Sequence, residues 1–476
     1  MNRPLSESLL PPEEHVLSTL EADGRRRWLK PRLSKGAYYR KRRLVAYALF
    51  AVWTVLPFVR IGGQPAVLLD VPARRFTLFG FTFLPTDTVL LALFLLALLL
   101  AFFMATALFG RVWCGWACPQ TVYLEFLFRP IERLFEGTAG RGGPPKKPVS
   151  AARTAGKVIV SFLACLYVAN TFLAYFVGVE RLGRWIVAGP FAHPAAFLVV
   201  AAVTALMMFD FLYFREQMCI LTCPYGRLQS VLLDRDSLIV AYDRRRGEPR
   251  GKASKKALGE AGDCVDCMRC VTTCPTGIDI REGLQMECIH CTQCIDACDD
   301  VMHRLGRAPR LVRYSSKNRD AGAPKRLLRV RTVLYPVLLG IVLTAFFVVL
   351  AHKTDVQTTV VRNPGSPFVV TDEGAVRNVF QVKMTNRRKT PRTVTVRVTR
   401  PAAARVVAGH ERVEIPGGRT VVAPVTVEIG RSAWAGHPVP VTLEVRDAHD
   451  DTLLGSDEIR FLGPLGAVHP AKKETP

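Results

Sequence analysis

The sequence predicts a multi-domain membrane protein that combines transmembrane helices, an inserted segment with two iron–sulfur clusters, and a C-terminal all-β sandwich. Three observations predict this fold class. Hydrophobic residues make up 49% of the 476 residues, and several apolar runs are long enough to cross a bilayer. Eight of the 13 cysteines fall between positions 264 and 298. After residue 352 the chain changes to short β-rich runs separated by proline, glycine and asparagine.

Five apolar runs predict a bundle of five transmembrane helices, because a helix needs about 20 residues to cross the hydrocarbon core. The first run is short and contains a proline, and it lacks a small-residue cleavage site, which indicates a retained span rather than a signal peptide. The five runs are Leu44–Ile61, Thr88–Phe109, Lys157–Val177, Ala195–Phe214 and Val330–Ala351.

The basic residues predict the orientation of these spans. The loops at 62–87 and 179–194 carry two arginines each, whereas the segments 1–43, 111–157 and 215–329 are strongly basic. By the positive-inside rule the N-terminus and the inserted segment are cytoplasmic, and the chain after 352 is external. The net charge of +24 is therefore a membrane-topology signal, and no nucleic-acid partner is expected. The predicted segments are 1–43, 44–214, 215–329, 330–351 and 352–476.

The eight clustered cysteines form two runs of spacing Cys-x2-Cys-x2-Cys-x3-Cys. This spacing is typical of bacterial two-cluster ferredoxins, in which the fourth cysteine of each run ligates the other cluster. A zinc site uses four ligands and does not require a spacing that pairs cysteines across two runs, and disulfides would be reduced in the cytoplasm. His290, inside the second run, is interpreted as a hydrogen-bond donor or a surface residue. The first [4Fe–4S] cluster is predicted at Cys264, Cys267, Cys270 and Cys298, and the second at Cys274, Cys288, Cys291 and Cys294.

Two further cysteine pairs follow the second and fourth spans, and both have the pattern Cys-x3-Cys-Pro. We call their four thiols, Cys114, Cys118, Cys219 and Cys223, the thiol tetrad. Proline after the second cysteine predicts that Cys118 and Cys223 precede short helices, where a helix N-terminus lowers a thiol pKa. Arg111 and Arg215 add positive charge nearby. Thiolate-rich sites suit Cu(I) or iron–sulfur clusters, so the tetrad is predicted as a metal site or a dithiol relay. The alternative is that small cysteines merely pack helix ends.

Asp210, within the fourth span, is an acid in an apolar helix and therefore a candidate for proton or cation passage. Its alternative role is an ion pair with an arginine near the membrane edge. Residues 1–38 and the tail after Gly466 are polar and are expected to be loose.

The C-terminal segment predicts a β-sandwich of about 110 residues that acts as a docking or spacer module. It contains no cysteine, and no catalytic constellation stands out in it. The predicted strands are Val376–Met384, Thr393–Thr399, Arg412–Ile415, Thr420–Ile429, Val439–Val445 and Glu458–Leu462.

Five distinctive stretches of the sequence remain to be assigned: Ala66–Arg74, Gly110–Val122, Arg215–Gln217, Asp234–Asp236 and Cys274–Arg281. With these stretches the chain resembles, from about 35 to 463, the CcoG/FixG/RdxA family of cytochrome cbb3 oxidase accessory proteins. The resemblance implies an immunoglobulin-like external domain in the periplasm, a multi-pass location in the bacterial inner membrane, and a cupric reductase that supplies Cu(I) during oxidase assembly. It also implies contacts with a copper chaperone or transporter and with oxidase subunits.

Three functions are compatible with these features. The first is reduction of Cu(II) at the tetrad with electrons from an unidentified cytoplasmic donor, with two [4Fe–4S] clusters and copper as the groups involved. The second is a membrane ferredoxin linked to quinol or quinone. The third is a non-catalytic redox sensor or assembly scaffold, which dispensable cysteine pairs would favour.

Overall fold

The computed structural model describes residues 18–19, 26, 28–73, 75–83, 87–138, 140–143, 145, 147–251, 262–324, 329–352, 356–388, 390–408 and 412–466. The chain divides into two compact units, Met1–Phe346 and Phe347–Pro476. The first unit contains apolar helices and the cysteine-rich segment, and the second is all-β.

Four helices are long and apolar enough to cross a membrane within the described residues. Their surfaces agree with contact to lipid, since most of their apolar side chains are not buried by protein. In the last of them no side chain is buried. The four are Thr88–Phe109, Ala151–Val177, Pro194–Phe214 and Val330–Ala351.

The first predicted span also forms a helix, but with different bounds. It runs from Ala37 to Val55 and continues as a short 3-10 turn, Leu56–Phe58, that contains Pro57. Its first turns carry the basic run Arg40–Arg43, so only its C-terminal half is as apolar as the other four helices. The count of five spans therefore stays a prediction.

Short elements connect the apolar helices. Segments of π-helix lie beside both Cys-x3-Cys-Pro turns, and such segments often occur at functional sites. These are Leu124–Phe128, Phe209–Phe214 and Met218–Thr222. The α-helices here are Val112–Trp116, Pro119–Tyr123, Arg129–Glu136, Val179–Ala188 and Pro224–Leu232. The strands are Arg60–Ile61 with Gln64–Pro65, and the antiparallel set Val67–Asp70, Arg75–Leu78 and Phe81–Phe83.

An antiparallel strand pair, Ile239–Tyr242 with Val312–Ser315, flanks the cysteine-rich segment. This pairing brings the two ends of the segment together, so the eight clustered cysteines lie within one loop of chain. Its helices are Arg244–Gly247, Arg269–Thr272, Gln293–Arg304 and Lys317–Asp320, with a 3-10 turn at Ile280–Glu282. Buried Ile278, Ile280, Ile295, Met302 and Leu311 form its apolar core together with several of the cysteines.

The expectation of a loose N-terminal segment is wrong for residues 28–38. The Arg32 N–H donates to the Thr272 carbonyl at 2.9 Å, and the Thr273 hydroxyl donates to the Arg32 carbonyl at 2.8 Å. On the other side, the Gly143 N–H donates to the Lys30 carbonyl. The segment is therefore held between the 140–143 loop and the first cysteine run. The expectation for the tail after Gly466 lies outside the described residues.

Asp296 joins the cysteine-rich segment to the first helix. Its two carboxylate oxygens accept from the N–H groups of Tyr38 (3.1 Å) and Tyr39 (2.7 Å). A carboxylate at this position satisfies free N–H groups and the positive end of the helix dipole. Gly36 permits the approach, because a Cβ there would lie 2.2 Å from the Asp296 Cγ atom.

We expect Asp296→Ala to destabilise this junction by about 1–2 kcal/mol, the usual cost of losing a helix N-terminal acceptor. The midpoint temperature for loss of visible cluster absorbance should fall. Asp300→Ala is the matched control, since that acid lies on the same helix and makes half-exposed ion pairs with Arg269 and Arg304. Equal midpoints for the two variants would contradict a capping role for Asp296.

The second unit is a sandwich of two antiparallel sheets. The first sheet has the order Ala404–Ala408, Thr420–Ile429, Val376–Asn386 and Val356–Arg362, and Val369–Val370 pairs with Val376–Asn386. The second has the order Val413–Ile415, Arg392–Arg400, Val439–Asp447 and Leu453–Phe461. Alternate residues of both sheets form one buried core that includes Phe380, Met384, Leu443 and Phe461. All six predicted strands are present, and three further strands were not predicted: Val356–Arg362, Val369–Val370 and Ala404–Ala408.

Candidate redox site

The two Cys-x3-Cys-Pro turns have closely similar backbones. Cys118 and Cys223 occupy the position immediately before a helix, and proline is the first helical residue in both. The Cys223 sulfur also accepts from the Gly226 N–H at 3.4 Å. Cys114 lies in the short helix Val112–Trp116 and Cys219 in a π-helical turn. A proline restricts the residue before it to an extended backbone, and Cys118 and Cys223 both have that conformation. The two cysteines of a pair therefore do not share one continuous helix.

The structure brings all four thiols of the tetrad together. The charges of Cys118, Cys114 and Cys223 each contribute to raising the pKa of the Cys219 thiol, after burial as the main cause. Within the described residues, however, no three Cys, His, Asp or Glu side chains converge closely enough to hold one metal ion. The tetrad is therefore a group of neighbouring thiols rather than a closed tetrahedral site, which is the geometry of structural zinc.

Burial also decides the charge of these thiols. It raises the pKa of Cys114 to about 11, and the nearby Arg111 only partly offsets this effect. The pKa of Cys118 is raised as well, although backbone N–H groups of Thr121 and Gln120 act in the opposite direction. The helix N-terminus thus acts on the Cys118 pKa in the predicted direction, but the predicted net lowering is wrong because burial outweighs it. A soft metal ion would have to displace protons on binding.

Arg215, the second arginine expected to lower the thiol pKa values, is paired elsewhere. Its guanidinium donates to both carboxylate oxygens of Glu132, at 3.0 and 3.1 Å. Arg111, by contrast, lies close enough to act on the pKa of both Cys114 and Cys219 in the lowering direction.

A buried polar chain holds Cys114, and its members were not predicted from the sequence. The Cys114 thiol donates to the Gln229 side-chain carbonyl at 2.9 Å. The Gln229 amide donates to the Thr106 hydroxyl at 3.2 Å, which donates to the Phe102 carbonyl. Gln229 is 1% exposed, and the only sequence signal for it is an amide inside the amphipathic stretch after Cys223.

The tetrad lies directly against the second cysteine run. Cys114 packs with Ile289 and Cys291 in one buried cluster. A Cβ at Gly115 would lie 2.5 Å from the Ile289 carbonyl oxygen and 2.8 Å from the Cys291 nitrogen, so only glycine allows this approach. The buried Arg42 reinforces the contact by donating from Nε to the Gly115 carbonyl at 2.9 Å.

Two cavities lie among the clustered cysteines. The first, with an empty volume of about 360 Å³, is lined by Cys264, Cys267, Cys270 and Cys298 together with apolar side chains. The second, of about 330 Å³, is lined by Cys270, Cys274, Cys288, Cys291 and Cys294, with His290 in its wall. The first lining contains the whole ligand set expected for one cluster, and the second contains the other set plus Cys270. The cross-paired arrangement is thus compatible with the fold.

Burial keeps the thiols of the two cavities protonated in the absence of a metal. It raises the pKa of Cys270, Cys288 and Cys298 to about 12. Iron would therefore have to displace these protons on binding, and its positive charge would compensate the buried thiolates. Each cavity lining includes a complete set of four cysteines that would hold one [4Fe–4S] cluster.

His290 links the first Cys-x3-Cys-Pro turn to the second cavity. Its Nδ1 accepts from the Arg111 backbone N–H at 3.2 Å. The ring is fully buried, and burial together with the Arg111 charge lowers the pKa of His290 to about 3, so the ring is neutral. The surface alternative for His290 is therefore wrong.

Buried charged side chains connect the segment after the first Cys-x3-Cys-Pro turn with the segment before the second turn and with the first cysteine run. Arg129 pairs with Glu125, with Glu216 at 3.4 Å, and donates to the Pro275 carbonyl at 3.3 Å. The Arg129 side chain is 2% exposed. Because Pro275 follows Cys274, this ionic group supports the wall of the second cavity. Sequence reasoning did not identify Glu125 or Arg129 as structural residues.

Asp210 does not have the arginine partner that one of its two predicted roles requires. Among the described residues, its carboxylate accepts from the Gln120 side-chain amide at 3.0 Å, and the same amide donates to the Arg215 carbonyl at 3.1 Å. Gln120 follows Pro119, so Asp210 positions the first Cys-x3-Cys-Pro turn. Cys165 packs with Leu124, Phe128 and Phe211.

Known families match three parts of the chain. Residues 214–317 match a 4Fe-4S dicluster domain, and residues 91–137 match a 4Fe-4S binding domain that contains Cys114 and Cys118. Residues 346–464 match the Ig-like fold at the C-terminal of FixG. The chain is thus a membrane electron-transfer protein with iron–sulfur domains and an Ig-like C-terminal unit.

Three relatives match over most of their length. Protein RdxA of Cereibacter sphaeroides is 36% identical over 75% of this chain and 79% of its own. RdxB of the same organism is 33% identical over 81% of this chain and 85% of its own. The nitrogen fixation protein FixG of Rhizobium meliloti is 33% identical over 90% of this chain and 91% of its own. With this identity spread across the helices, the cysteine runs and the C-terminal unit, the chain belongs to the FixG/RdxA family.

Proposed function

We propose that the chain delivers electrons from a cytoplasmic donor to copper bound at the thiol tetrad, and that it reduces Cu(II) to Cu(I) for assembly of a cbb3-type oxidase. The observation that carries the proposal is the packing of Cys114 against Ile289 and Cys291. This contact puts the tetrad beside the second cysteine run. Electron transfer from a carrier in that run to an acceptor at the tetrad requires the two to lie close together.

Two [4Fe–4S] clusters, held by the two cysteine sets named above, would supply the one-electron carriers. The two cavities that would hold them differ in their exposure to solvent. Cys267 in the first cavity is exposed, whereas Cys288 and Cys291 in the second cavity are buried. The exposed cavity is therefore the side that an unidentified cytoplasmic donor reaches.

The chemistry of the tetrad favours copper as the acceptor. Thiolates are soft ligands that stabilise Cu(I) over Cu(II), and Cu(I) accepts low coordination numbers. Each Cu(II) takes up one electron, and thiol protons leave as the metal binds.

The proposal includes an orientation and partners. In this proposal there are five spans, with Ala37–Val55 as the first, so that the N-terminus and the cysteine-rich segment would lie in the cytoplasm and the Ig-like unit in the periplasm. Cu(I) would then pass to a copper chaperone or transporter and on to the oxidase subunits. The basic loops support this orientation through the positive-inside rule.

The proposal is tested with protein purified without oxygen and chemically reduced. Cu(II) is added to one sample, together with a Cu(I)-specific chelator, and a quinone analogue is added to a second. We expect the visible absorbance of the oxidised clusters to return in the copper sample with stoichiometric Cu(I). Reoxidation by the quinone analogue alone would overturn the copper assignment and would favour a quinone-linked ferredoxin. A lack of reaction with both would favour the sensor or scaffold function.

A further inference from the structure

We propose that His290 donates a hydrogen bond from Nε2 to a sulfur of the second cluster and thereby raises the reduction potential of that cluster. The inference rests on the proposed function, because both require the second cluster to be bound by Cys274, Cys288, Cys291 and Cys294. His290 lies within the matched 4Fe-4S dicluster domain and is not one of the eight predicted cluster ligands.

The location of His290 is the first argument. The residue lies between Cys288 and Cys291 and forms part of the wall of the second cavity. It is fully buried, so its polar atoms cannot bond to bulk water. Its backbone has a φ of 53°, which is the left-handed conformation that few non-glycine residues adopt.

The hydrogen bonding of the ring is the second argument. Nδ1 accepts from the Arg111 backbone N–H, so in the neutral ring the proton is on Nε2. Within the described part of the chain, Nε2 is a buried polar atom without a hydrogen-bond partner. A buried N–H left without an acceptor is unfavourable, and an acceptor inside the cavity would satisfy it. Cluster and thiolate sulfurs are acceptors of this kind.

The effect on the cluster follows from charge. Reduction adds negative charge to the cluster, and a hydrogen bond to sulfur stabilises the reduced form more than the oxidised form. The Arg111 N–H that orients the ring comes from the first Cys-x3-Cys-Pro turn. His290 therefore also couples the position of that turn to the potential of the second cluster.

The test is an EPR-monitored redox titration of the full-length, cluster-loaded protein. In His290→Asn the side-chain carbonyl can still accept from Arg111, and asparagine tolerates the left-handed backbone, but no donor reaches the Nε2 position. We expect the reduced fraction of the second cluster to fall about tenfold at a given potential, which corresponds to about 59 mV for one electron. The first cluster should titrate as in the unmodified protein.

His290→Gln is the matched variant, because its amide nitrogen lies near the Nε2 position; it should remain within about twofold of the unmodified protein. If asparagine impairs cluster loading, His290→Met replaces it, since methionine retains volume and removes both ring nitrogens. Equal potentials for all variants with full iron content, or equal shifts for glutamine and asparagine, would overturn the role of His290.

Cys291→Ser separates this inference from the placement of the cluster. Loss of the second EPR signal in that variant, combined with an unshifted His290→Asn titration, would refute the His290 role and leave the placement intact. Retention of both signals in Cys291→Ser would refute the placement, and the His290 inference with it.

Discussion

The double substitution Cys114→Ser, Cys118→Ser should abolish Cu(I) formation while leaving the iron content unchanged. A serine hydroxyl is a hard oxygen donor that does not replace a soft thiolate toward Cu(I). Because outer-shell changes alone cost 10- to 100-fold in metal affinity, we expect the loss of two thiols to slow Cu(I) formation by more than about 100-fold. Neither cysteine lines either cavity, so the clusters should still assemble.

The measurement is the rate of Cu(I) formation by the pre-reduced protein, with iron content and visible absorbance recorded on the same sample. Cys165→Ala is the matched control. That thiol is fully buried against Leu124, Phe128 and Phe211 and lies outside the tetrad, so its loss should leave the rate unchanged. Unaltered copper reduction by the double variant would remove the tetrad as the end point.

The second pair decides whether the tetrad is one site or two. Cys219→Ser, Cys223→Ser should cause a loss as large as that of the first double substitution if all four thiols serve one copper ion. Cys114, Cys118 and Cys223 all lie close enough to Cys219 for their charges to raise its pKa, although no three of the four converge on one point among the described residues. A partial loss that adds to the loss from the first pair would indicate two separate sites.

Local patterns in the sequence predicted the elements that depend on local spacing. Apolar runs of about 20 residues predicted the four helices, and proline after the second cysteine predicted the helix starts at Pro119 and Pro224. The cysteine spacing anticipated the two sets of side chains that line the cavities. In each case the signal lies within one continuous segment of the sequence, so no knowledge of distant contacts is needed to detect it.

Features that depend on distant parts of the chain were not predicted. Arg111 contacts His290 across 179 positions, and Cys114 contacts Gln229 across 115 positions. Burial outweighed the helix terminus in setting the Cys118 pKa, and burial follows from tertiary packing. The strand Val356–Arg362 was missed because its partner, Val376–Asn386, is what gives it a buried face.

Arg129→Met should be the most destabilising single substitution among those considered, with an expected cost of about 3–5 kcal/mol. Removal of the guanidinium leaves Glu125 buried without its partner at 5% exposure, and it also removes a donor from Glu216 and from the Pro275 carbonyl. The cost arises from the loss of the hydrogen-bonded cation beside Glu125 rather than from lost packing, since methionine fills a similar volume. Arg133 and Arg215 act on Glu125 only as neighbouring charges. The midpoint temperature for loss of cluster absorbance in detergent should fall sharply.

Arg304→Ala is the control for this prediction. Its ion pair with Asp300 is largely exposed, so its loss should cost well under about 1 kcal/mol. Adding Glu125→Gln to Arg129→Met should restore much of the lost stability, because the unpaired charge is then removed. Since Pro275 follows Cys274, the second cluster should be lost before the first when Arg129→Met is heated. Simultaneous loss of both clusters at the unmodified midpoint would show that the buried ionic group does not support the cavity wall.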